Sequence, residues 1–268
     1  MYYYKKIVIR IFLFFLFIIL ISNIIDASAS NRNIAGQINL EVILRSLFNS
    51  VIYLGTPYDL KAKIYKSPII IPDKSVFPNV EKLRKSLKML NLEATRALEY
   101  SKPIKNDLFF TDIADKGWKR FYVKWYGPID PLARKICPFT CKLIESMPEV
   151  HLAMFSILLP GSKIPPHFGP ARMCLRYHMG IDTPNDPNCY IKIGNTKYSW
   201  EDGKDVMFDD TFLHEVVNNT DKIRIILFLD VERPQFHKIF ETFNKKMISI
   251  AGPITTRSNE TKEKIIKL

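Results

Sequence analysis

The second half of the chain is a succession of short apolar runs that end at Gly, Pro, Asn or Asp. From about Asp107 these runs include "HLAMFSILLPG", "MCLRYHMGI", "CYIKIGNTKYSW" and "KIRIILFLDVERP". Short runs rich in β-branched and aromatic residues, bounded by turn residues, are typical of β-strands. Several strands at such close spacing predict a sandwich or a barrel. We therefore expect a mainly β domain over residues 107–250.

The segments that flank this β region have a different pattern. Residues 31–50, 79–100 and 234–252 carry apolar residues at helical spacing, with Asn79 as a candidate N-cap. The Pro-rich stretch 54–78 is expected to be an extended segment that wraps the core. The sequence thus predicts a β core with flanking helices, in which residues 31–106 form a support region and residues 251–268 a polar tail.

The N-terminus has the features of a targeting segment. Lys5, Lys6 and Arg10 precede an apolar run over residues 11–21, and Ala27-Ser28-Ala29 is a candidate cleavage site. The run is shorter than the roughly 20 residues that span a bilayer, although apolar residues extend it on both sides. Residues 1–30 are therefore either a signal peptide or a membrane anchor, and both alternatives send the rest of the chain into the secretory pathway. The anchor would hold the predicted β domain in the endoplasmic reticulum lumen, whereas cleavage near Ala29 would release it.

The formal net charge of +12 restricts the partners. Lys and Arg are spread along the chain and no nucleic-acid-binding motif accompanies them, so nucleic acid is not an expected partner. A basic surface can also attract an anionic membrane or an acidic substrate.

The four cysteines suggest an oxidising compartment. Cys137 and Cys141 lie four residues apart in "KICPFTCKLIE", and Cys174 and Cys189 lie in predicted strands. We expect one disulfide between Cys137 and Cys141. A zinc site is the alternative, but a CxxxC pair without a second pair is a weak zinc signal.

One predicted strand has a polar face. Side chains alternate across a strand, so Cys174, Arg176 and His178 share one face of "MCLRYHMGI" and apolar residues occupy the other. Burying such groups costs several kcal/mol unless an anion or a metal compensates them. The strand therefore points to a ligand cavity.

Two of the five histidines are candidate metal ligands. His167 lies where a predicted strand meets Phe168-Gly169, and His214 lies late in a second β segment. Two histidines on two strands of a barrel can bind one metal ion. We interpret His151 and His237 as structural residues.

The stretch from Met154 to Pro234 resembles the aspartyl/asparaginyl β-hydroxylase family of Fe(II)- and 2-oxoglutarate-dependent oxygenases. The blocks "FSILLPGSKIPPHFGP", "LRYHMGI", "MFDDTFLHEVVN" and "RIILFLDVERP" occur in the order of that family. The upstream "CPFTCKLIESMPE" resembles the segment that leads into the family's barrel. The resemblance implies a double-stranded β-helix (jelly roll) core, with Fe(II), 2-oxoglutarate and O₂ as cofactor and cosubstrates.

The resemblance also assigns roles to individual residues. It implies that His167 and His214 bind iron and that Arg224 pairs with the distal carboxylate of 2-oxoglutarate. The residues that it implies as further contacts of this cosubstrate are Ser156, Arg176 and His178.

The usual third ligand of such oxygenases, a carboxylate two residues after the first histidine, is replaced here by Gly169. The resembled family has glycine at that position too. Asp210 is our candidate for a carboxylate that acts from the outer coordination shell. A structural turn residue is the alternative interpretation of Asp210. If the segment between His214 and Arg224 is a hairpin, its loop must hold an odd number of residues for both side chains to face one cavity.

The substrate is not determined by these motifs. The resemblance offers the β carbon of Asp or Asn side chains in a protein and the acyl chain of a membrane lipid, and the predicted disulfide and lumenal location favour the protein substrate. An inactive barrel that serves as a binding module is a third alternative. Asn218 and Asn259 match the pattern of glycosylation acceptors.

Overall fold

The computed structural model describes residues 40–103, 117–169, 172–254 and 258–259. The predicted targeting segment, its cleavage site and most of the polar tail lie outside these residues. Among the helices that are described, none is both long and apolar enough to cross a bilayer.

The described strands form two sheets. The strands are β1 (Ile69–Ile70), β2 (Lys102–Pro103), β3 (Trp118–Trp125), β4 (Val150–Leu158), β5 (Lys163–His167), β6 (Cys174–Asp182), β7 (Cys189–Ile193), β8 (Thr196–Ser199), β9 (Asp205–Phe208), β10 (His214–Asn218) and β11 (Arg224–Glu232). The larger sheet has the order β1-β9-β6-β11-β4-β3-β2, and the smaller has the order β5-β10-β7-β8.

The order of the strands defines a double-stranded β-helix. From β4 to β11 the chain passes repeatedly between the two sheets, so that β4, β6, β9 and β11 pair in the larger sheet and β5, β7, β8 and β10 in the smaller. The strand pairings within both sheets are antiparallel. Such a double sheet is the jelly-roll arrangement. The predicted fold class is confirmed.

The helices flank this core. They are α1 (Leu40–Gly55), α2 (Tyr58–Lys66), α3 (Val80–Lys85), α4 (Leu87–Leu98), α5 (Pro131–Ile136), α6 (Pro138–Glu145) and α7 (Lys238–Ile254). The prediction of an extended segment over residues 54–78 is wrong for its first half. Leu60 and Ile64, four residues apart, are buried on one side of α2, and this helical repeat was obscured by the surrounding prolines.

Strand alternation separates the two faces of the larger sheet. On β6, Leu175, Tyr177 and Met179 pack into one apolar core with residues of α3, α4 and α6. The intervening Arg176 and His178 point to the opposite face, towards the smaller sheet. The polar face of β6 is therefore its inner face, as the strand pattern predicts.

The N-terminal region belongs to the same folded body. β1 pairs with β9, and β2 pairs with β3. The carboxylate of Glu93 on α4 accepts hydrogen bonds from the backbone N–H groups of Phe139 (2.9 Å) and Thr140 (2.7 Å), and so caps the first turn of α6. The predicted boundary at residues 106 and 107 lies outside the described residues.

The predicted disulfide is wrong in this structure, where all four cysteines are free and buried. The N–H of Cys141 bonds to the carbonyl of Cys137 at 3.0 Å, as in a helical turn, and the two thiols share a hydrogen bond. This spacing on a helix separates Cβ atoms by about 5–6 Å, whereas a disulfide requires about 3.5–4.5 Å.

The segment between His214 and Arg224 is not a hairpin. β10 pairs with β5 and β7, whereas β11 pairs with β4 and β6, so the loop crosses from one sheet to the other. The two side chains face the same interior because their sheets face each other. The expected rule on odd loop length therefore does not apply.

The two candidate glycosylation acceptors have their amide groups engaged inside the fold. Asn218 is fully buried and its Nδ2 donates to the carbonyls of Leu158 and Lys222 at 3.2 and 2.8 Å. Asn259 is also buried, and its amide exchanges hydrogen bonds with the backbone of Tyr122.

Candidate active site

Two histidines meet at the end of the smaller sheet. His167 ends β5, His214 begins β10, and the antiparallel register places them opposite each other with ring centroids 4.1 Å apart. Nδ1 of His167 bonds to the carbonyl of Pro165, and Nδ1 of His214 to that of Phe212, each at 2.8 Å. These backbone bonds orient both rings and leave Nε2 of each ring for another partner.

Both rings are held in the neutral form. Burial and the proximity of His214 lower the pKa of His167 to about 3. Burial also lowers the pKa of His214, although the carboxylate of Asp210 opposes this effect. Neutral imidazole is the form that binds a metal ion.

The carboxylate of Asp210 occupies the place of a side chain at position 169. A Cβ atom built on Gly169 would lie closer than 3.0 Å to the carboxylate carbon and to both carboxylate oxygens of Asp210. The N–H of Gly169 also donates to the backbone carbonyl of Asp210 at 2.7 Å. Glycine two residues after His167 is therefore a steric requirement for Asp210.

Arg176 is held between two carboxylates on the inner face of the larger sheet. Its guanidinium pairs with both Asp210 and Asp230, and it stacks on the ring of Phe228 at 4.5 Å. The hydroxyl of Tyr126 donates to the other oxygen of Asp230. Burial acts to lower the pKa of Arg176, but the two carboxylates raise it above its ordinary value.

Unlike Arg176, Arg224 is not paired with a carboxylate in the part of the chain that the structure describes. It is 1% exposed, and its Nε and Nη2 have no hydrogen-bond partner. Its guanidinium lies over the ring of Trp200 at 4.8 Å. Burial lowers its pKa to about 10. A buried cation without a counter-ion is costly, so this position favours an anionic ligand.

His178 lies beside Arg224 in the same interior. Neither ring nitrogen of His178 has a hydrogen-bond partner, and its ring is surrounded by those of Trp200, Phe208 and Phe228 at 4.8–5.9 Å. Burial, and next the charge of Arg224, lower the pKa of His178 well below its ordinary value. The indole Nε1 of Trp200 is a further buried donor without a partner.

Ser156 lies on the inner face of β4. Its hydroxyl oxygen accepts a hydrogen bond from Nε1 of Trp118 at 3.0 Å, and its register partner on β11 is Ile226, two residues from Arg224. Because the hydroxyl oxygen accepts this bond, the hydroxyl proton remains available for a ligand.

The predicted site residues thus fall into two groups within one interior. His167, His214, Asp210 and Arg176 are linked by the contacts above, while Arg224 and His178 share a second environment around Trp200. In the described part of the chain no three His, Cys, Asp or Glu side chains are arranged to hold a metal ion together.

Motif reasoning missed a buried ion pair that supports the metal-binding loop, which we define as residues 209–213, directly before the candidate metal ligand His214. Arg233 is 1% exposed, and its Nη2 contacts Asp209 at 2.5 Å while its Nε donates to the carbonyl of Arg172 at 2.7 Å. The other oxygen of Asp209 accepts from the N–H and hydroxyl of Thr211 at 3.0 and 2.6 Å. The sequence signal for this ion pair was the adjacent Asp209 and Asp210, of which Asp209 forms the turn by accepting the hydrogen bonds from Thr211.

Trp200 was also missed, although its position at the end of "CYIKIGNTKYSW" is an aromatic signal.

The two remaining histidines have contacts that suit structural roles. His151 contacts Glu232 at 3.1 Å, and His237 accepts a hydrogen bond from the N–H of Ile239 at the start of α7.

Comparison with known proteins agrees with the predicted resemblance. Residues 79–234 match the family model described as aspartyl/asparaginyl beta-hydroxylase. The ornithine lipid ester-linked acyl 2-hydroxylase of Rhizobium tropici is 33% identical over 196 residues, which cover 70% of this chain and 68% of that protein. The human aspartyl/asparaginyl beta-hydroxylase is 32% identical over 165 residues, which cover 58% of this chain.

The chain spans only about a fifth of that human protein, since the match covers 21% of it. Among solved structures, an oxidoreductase of the 2OG-Fe(II) oxygenase family from Burkholderia pseudomallei has a TM-score of 0.42 at 13% identity, and the alignment covers 66% of this chain and 91% of that one. That similarity is too remote to indicate a function. The match of the family model to more than half of the chain shows that this protein belongs to the aspartyl/asparaginyl beta-hydroxylase family of hydroxylase enzymes.

Proposed function

We propose that this protein is an Fe(II)- and 2-oxoglutarate-dependent dioxygenase that hydroxylates its substrate. The observation that carries the proposal is the buried guanidinium of Arg224, which has no counter-ion among the residues that the structure describes and shares an interior with a pair of neutral histidines. A cavity with a metal-binding pair and a separate uncompensated cation suits a ligand that both chelates a metal and carries a second carboxylate.

The histidine pair fits a divalent metal. Bonds from a metal to imidazole are about 2.0–2.1 Å long, so rings with centroids 4.1 Å apart can reach one ion. Imidazole is a good ligand for Fe(II). The neighbouring group of Asp210, Arg176 and Asp230 has one more negative than positive charge, which favours a cation nearby. When bound by His167 and His214, Fe(II) supplies the oxidative chemistry that inserts one oxygen atom of O₂ into a C–H bond, with succinate and CO₂ formed from 2-oxoglutarate.

The second group fits the cosubstrate. Arg224 supplies a planar pair of donors for the distal carboxylate, and Trp200 and Ser156 offer additional donors. His178 contributes a neutral ring whose nitrogens are free to bond. The surrounding aromatic rings exclude water, which strengthens the pairing between guanidinium and carboxylate.

Asp210 and Arg176 have supporting roles in this proposal. Both carboxylates around Arg176 neutralise its charge, so Arg176 acts by holding Asp210 in place rather than as the main partner of 2-oxoglutarate. Asp210 then presents a hydrogen-bond acceptor beside the two metal ligands. Groups of this kind orient the ligands of a metal without binding it.

For the substrate, we infer that an acyl chain of a lipid is favoured. The Rhizobium tropici acyl hydroxylase aligns over 68% of its own length, whereas the match to the human aspartyl/asparaginyl hydroxylase covers a fifth of that protein. The disulfide that favoured a lumenal protein substrate is not formed. Asp or Asn side chains of a secreted or membrane protein are the second candidate, which the description of the family supports. A membrane location through the N-terminal segment is part of the proposal and suits either substrate.

The test is turnover by the full chain. Purified protein is incubated with Fe(II), 2-oxoglutarate and O₂, together with either ornithine-containing lipids or peptides that contain Asp and Asn. Succinate release coupled to the mass of one added oxygen on the lipid supports the proposal. Addition to the peptide alone selects the second candidate, and no succinate with any substrate would favour a binding module. Arg224→Ala is the matched variant, and it should need a much higher concentration of 2-oxoglutarate to release succinate at the same rate.

A further inference from the structure

We propose that an exposed aromatic surface beside the active site docks onto an anionic lipid bilayer. We call this surface the aromatic rim and define it by Tyr53, Tyr58, Tyr65, Phe236 and Ile239. Their exposed fractions are 40%, 86%, 92%, 62% and 69%. Scattered exposed apolar residues are normal, but a patch of large ones marks an interaction surface.

The aromatic rim has one part on α2 and another at the start of α7, and the end of α1 contacts both. The N–H of Phe236 donates to the carbonyl of Gly55 at 2.8 Å, and Gly55 lies between Tyr53 and Tyr58 in the chain. A Cβ atom on Gly55 would overlap the side chains of Gln235 and Phe240, so the start of α7 sits directly on the end of α1. The surface is therefore formed by tertiary contact and not by one flexible segment.

A line of contacts joins the aromatic rim to the metal-binding loop. The guanidinium of Arg172 lies over the ring of Tyr53 at 5.2 Å, and its Nε donates to the hydroxyl of Thr211 at 3.2 Å. Thr211 is three residues before His214 and is followed by the exposed Phe212 and Leu213. These contacts thus connect the aromatic rim to the residues that immediately precede His214.

The chemistry of the aromatic rim fits the interfacial zone of a membrane. Tyr is enriched at this depth because its ring is apolar and its hydroxyl can remain in water, and Phe can insert its apolar ring beside it. Tyr58 and Tyr65 are seven residues apart on α2, so they project from the same side of the helix, opposite the buried Leu60 and Ile64.

The charges around the aromatic rim favour an anionic bilayer. Lys66 and Lys238 are exposed next to Tyr65 and Ile239, and Lys61 lies against the ring of Tyr53 at 4.9 Å. The nearby acidic residues are Asp59 and Glu241, of which Glu241 is already paired with Lys245 at 2.5 Å. The chain as a whole carries +12, and basic residues near an anionic membrane each contribute to binding.

The length of the chain that precedes the described structure limits how far the aromatic rim can lie from the N-terminal apolar run. The run of residues 11–21 is connected to α1, which begins at Leu40 and ends beside the aromatic rim. The intervening residues, even if fully extended, reach at most about 65 Å, and α1 adds about 24 Å. An N-terminus held at a bilayer would therefore keep the aromatic rim within about 90 Å of that bilayer.

The experiment measures the depth of the aromatic rim in a bilayer. A nitroxide label is attached at Phe236→Cys in the full chain, reconstituted in phosphatidylcholine vesicles with or without phosphatidylglycerol. The matched control is Asp221→Cys, an exposed position in the loop that follows β10, at the opposite end of that strand from His214. The native cysteines are buried and should not take the label.

We expect the label at position 236 to collide more with dissolved O₂ than with a water-soluble nickel complex, and the label at position 221 to do the reverse. Nickel collisions at position 236 should fall several-fold when phosphatidylglycerol is present. Equal nickel access at both positions would overturn the proposal. So would low access to both reagents at position 236, because that pattern indicates coverage by protein. No iron or 2-oxoglutarate is used, so the outcome is independent of the proposed catalysis.

Discussion

Replacing Gly169 by alanine should damage the metal site through Asp210. The added Cβ atom would lie closer than 3.0 Å to the carboxylate of Asp210, a separation that real Cβ atoms do not tolerate. The neighbour cannot yield freely, because the same carboxylate is paired with Arg176. We therefore expect Gly169→Ala to lower both the stability of the fold and the affinity of the histidine pair for a metal.

The magnitude follows from the way in which the overlap is relieved. If the backbone around Gly169 shifts and the ion pair survives, overpacking of this kind costs about 1–3 kcal/mol. If Asp210 is displaced instead, Arg176 loses one of its two carboxylates, and breaking a buried pair can cost about 3–5 kcal/mol. Because Arg176 keeps Asp230 as a partner, we expect the loss of unfolding free energy to fall in the lower of these ranges, about 1–3 kcal/mol. A loss of about 1–3 kcal/mol corresponds to a fall of roughly 2–12 °C in melting temperature for a domain of this size.

The assay is a double-mutant cycle with Asp210→Ala. Free energies of unfolding are measured by urea denaturation, and metal affinity by titration with Co(II), whose visible spectrum reports coordination. Removing the carboxylate removes the overlap, so Gly169→Ala should cost about 1–2 kcal/mol less in the Asp210→Ala background. Equal costs in both backgrounds would refute the steric explanation. Gly127→Ala is the control, since a Cβ atom there meets only ordinary contact with a carbonyl at 3.5 Å.

Further expectations concern the two ends of the site. His167→Ala and His214→Ala should each leave the fold intact but abolish Co(II) binding, and a variant that still binds Co(II) normally would exclude that histidine as a ligand. Arg224→Met should raise the unfolding free energy of the ligand-free protein by about 1–4 kcal/mol, since it removes an uncompensated buried charge. The same variant should no longer be stabilised by 2-oxoglutarate. A loss of stability would contradict the unpaired state of Arg224. Burial alone raises the pKa of Asp209, but Arg233 lowers it below its ordinary value of 3.8. The stability that this pair contributes is therefore present above pH 3.8, and it is lost as the pH falls through the lower pKa of the folded protein. Arg233→Met should flatten the acid limb of the stability curve, measured by urea unfolding at several pH values, and an unchanged limb would show that another carboxylate dominates.

The fold was readable from the sequence because its pattern is local. Each strand of the jelly roll is a short apolar run between turn residues, and the alternation on β6 correctly placed Arg176 and His178 on the inner face. His167 was also visible as a candidate, since it lies at a predicted strand end two residues before Gly169. These signals depend on side-chain periodicity over a few residues, which the sequence contains directly.

Other features depend on contacts between distant residues and left no local signal. The pairing of Arg233 with Asp209 joins two strand ends, and Asp230 became a partner of Arg176 only through the register of β6 and β11. The connection after His214 looked like a hairpin because both flanking segments are strands, whereas it passes between two sheets. The helix α2 was hidden because prolines at its borders suggested an extended chain.

The division of charge inside the jelly roll explains why one cavity can bind a cation and a diacid together. Around the histidines, two carboxylates face one guanidinium, so this end carries excess negative charge and lowers the cost of placing a divalent ion there. Around Trp200, Arg224 is positive and unpaired, and an adjacent neutral His178 does not add to its charge. The two ends belong to different strands of the same sheet pair, so their separation is fixed by strand register and not by flexible loops. Once a divalent ion has made the histidine end positive, a ligand with a chelating carboxylate at one end and a second carboxylate at the other would neutralise both ends at once, which a monocarboxylate cannot do. We therefore expect 2-oxoglutarate to stabilise the metal-loaded protein more than pyruvate does, and the difference to disappear in Arg224→Met.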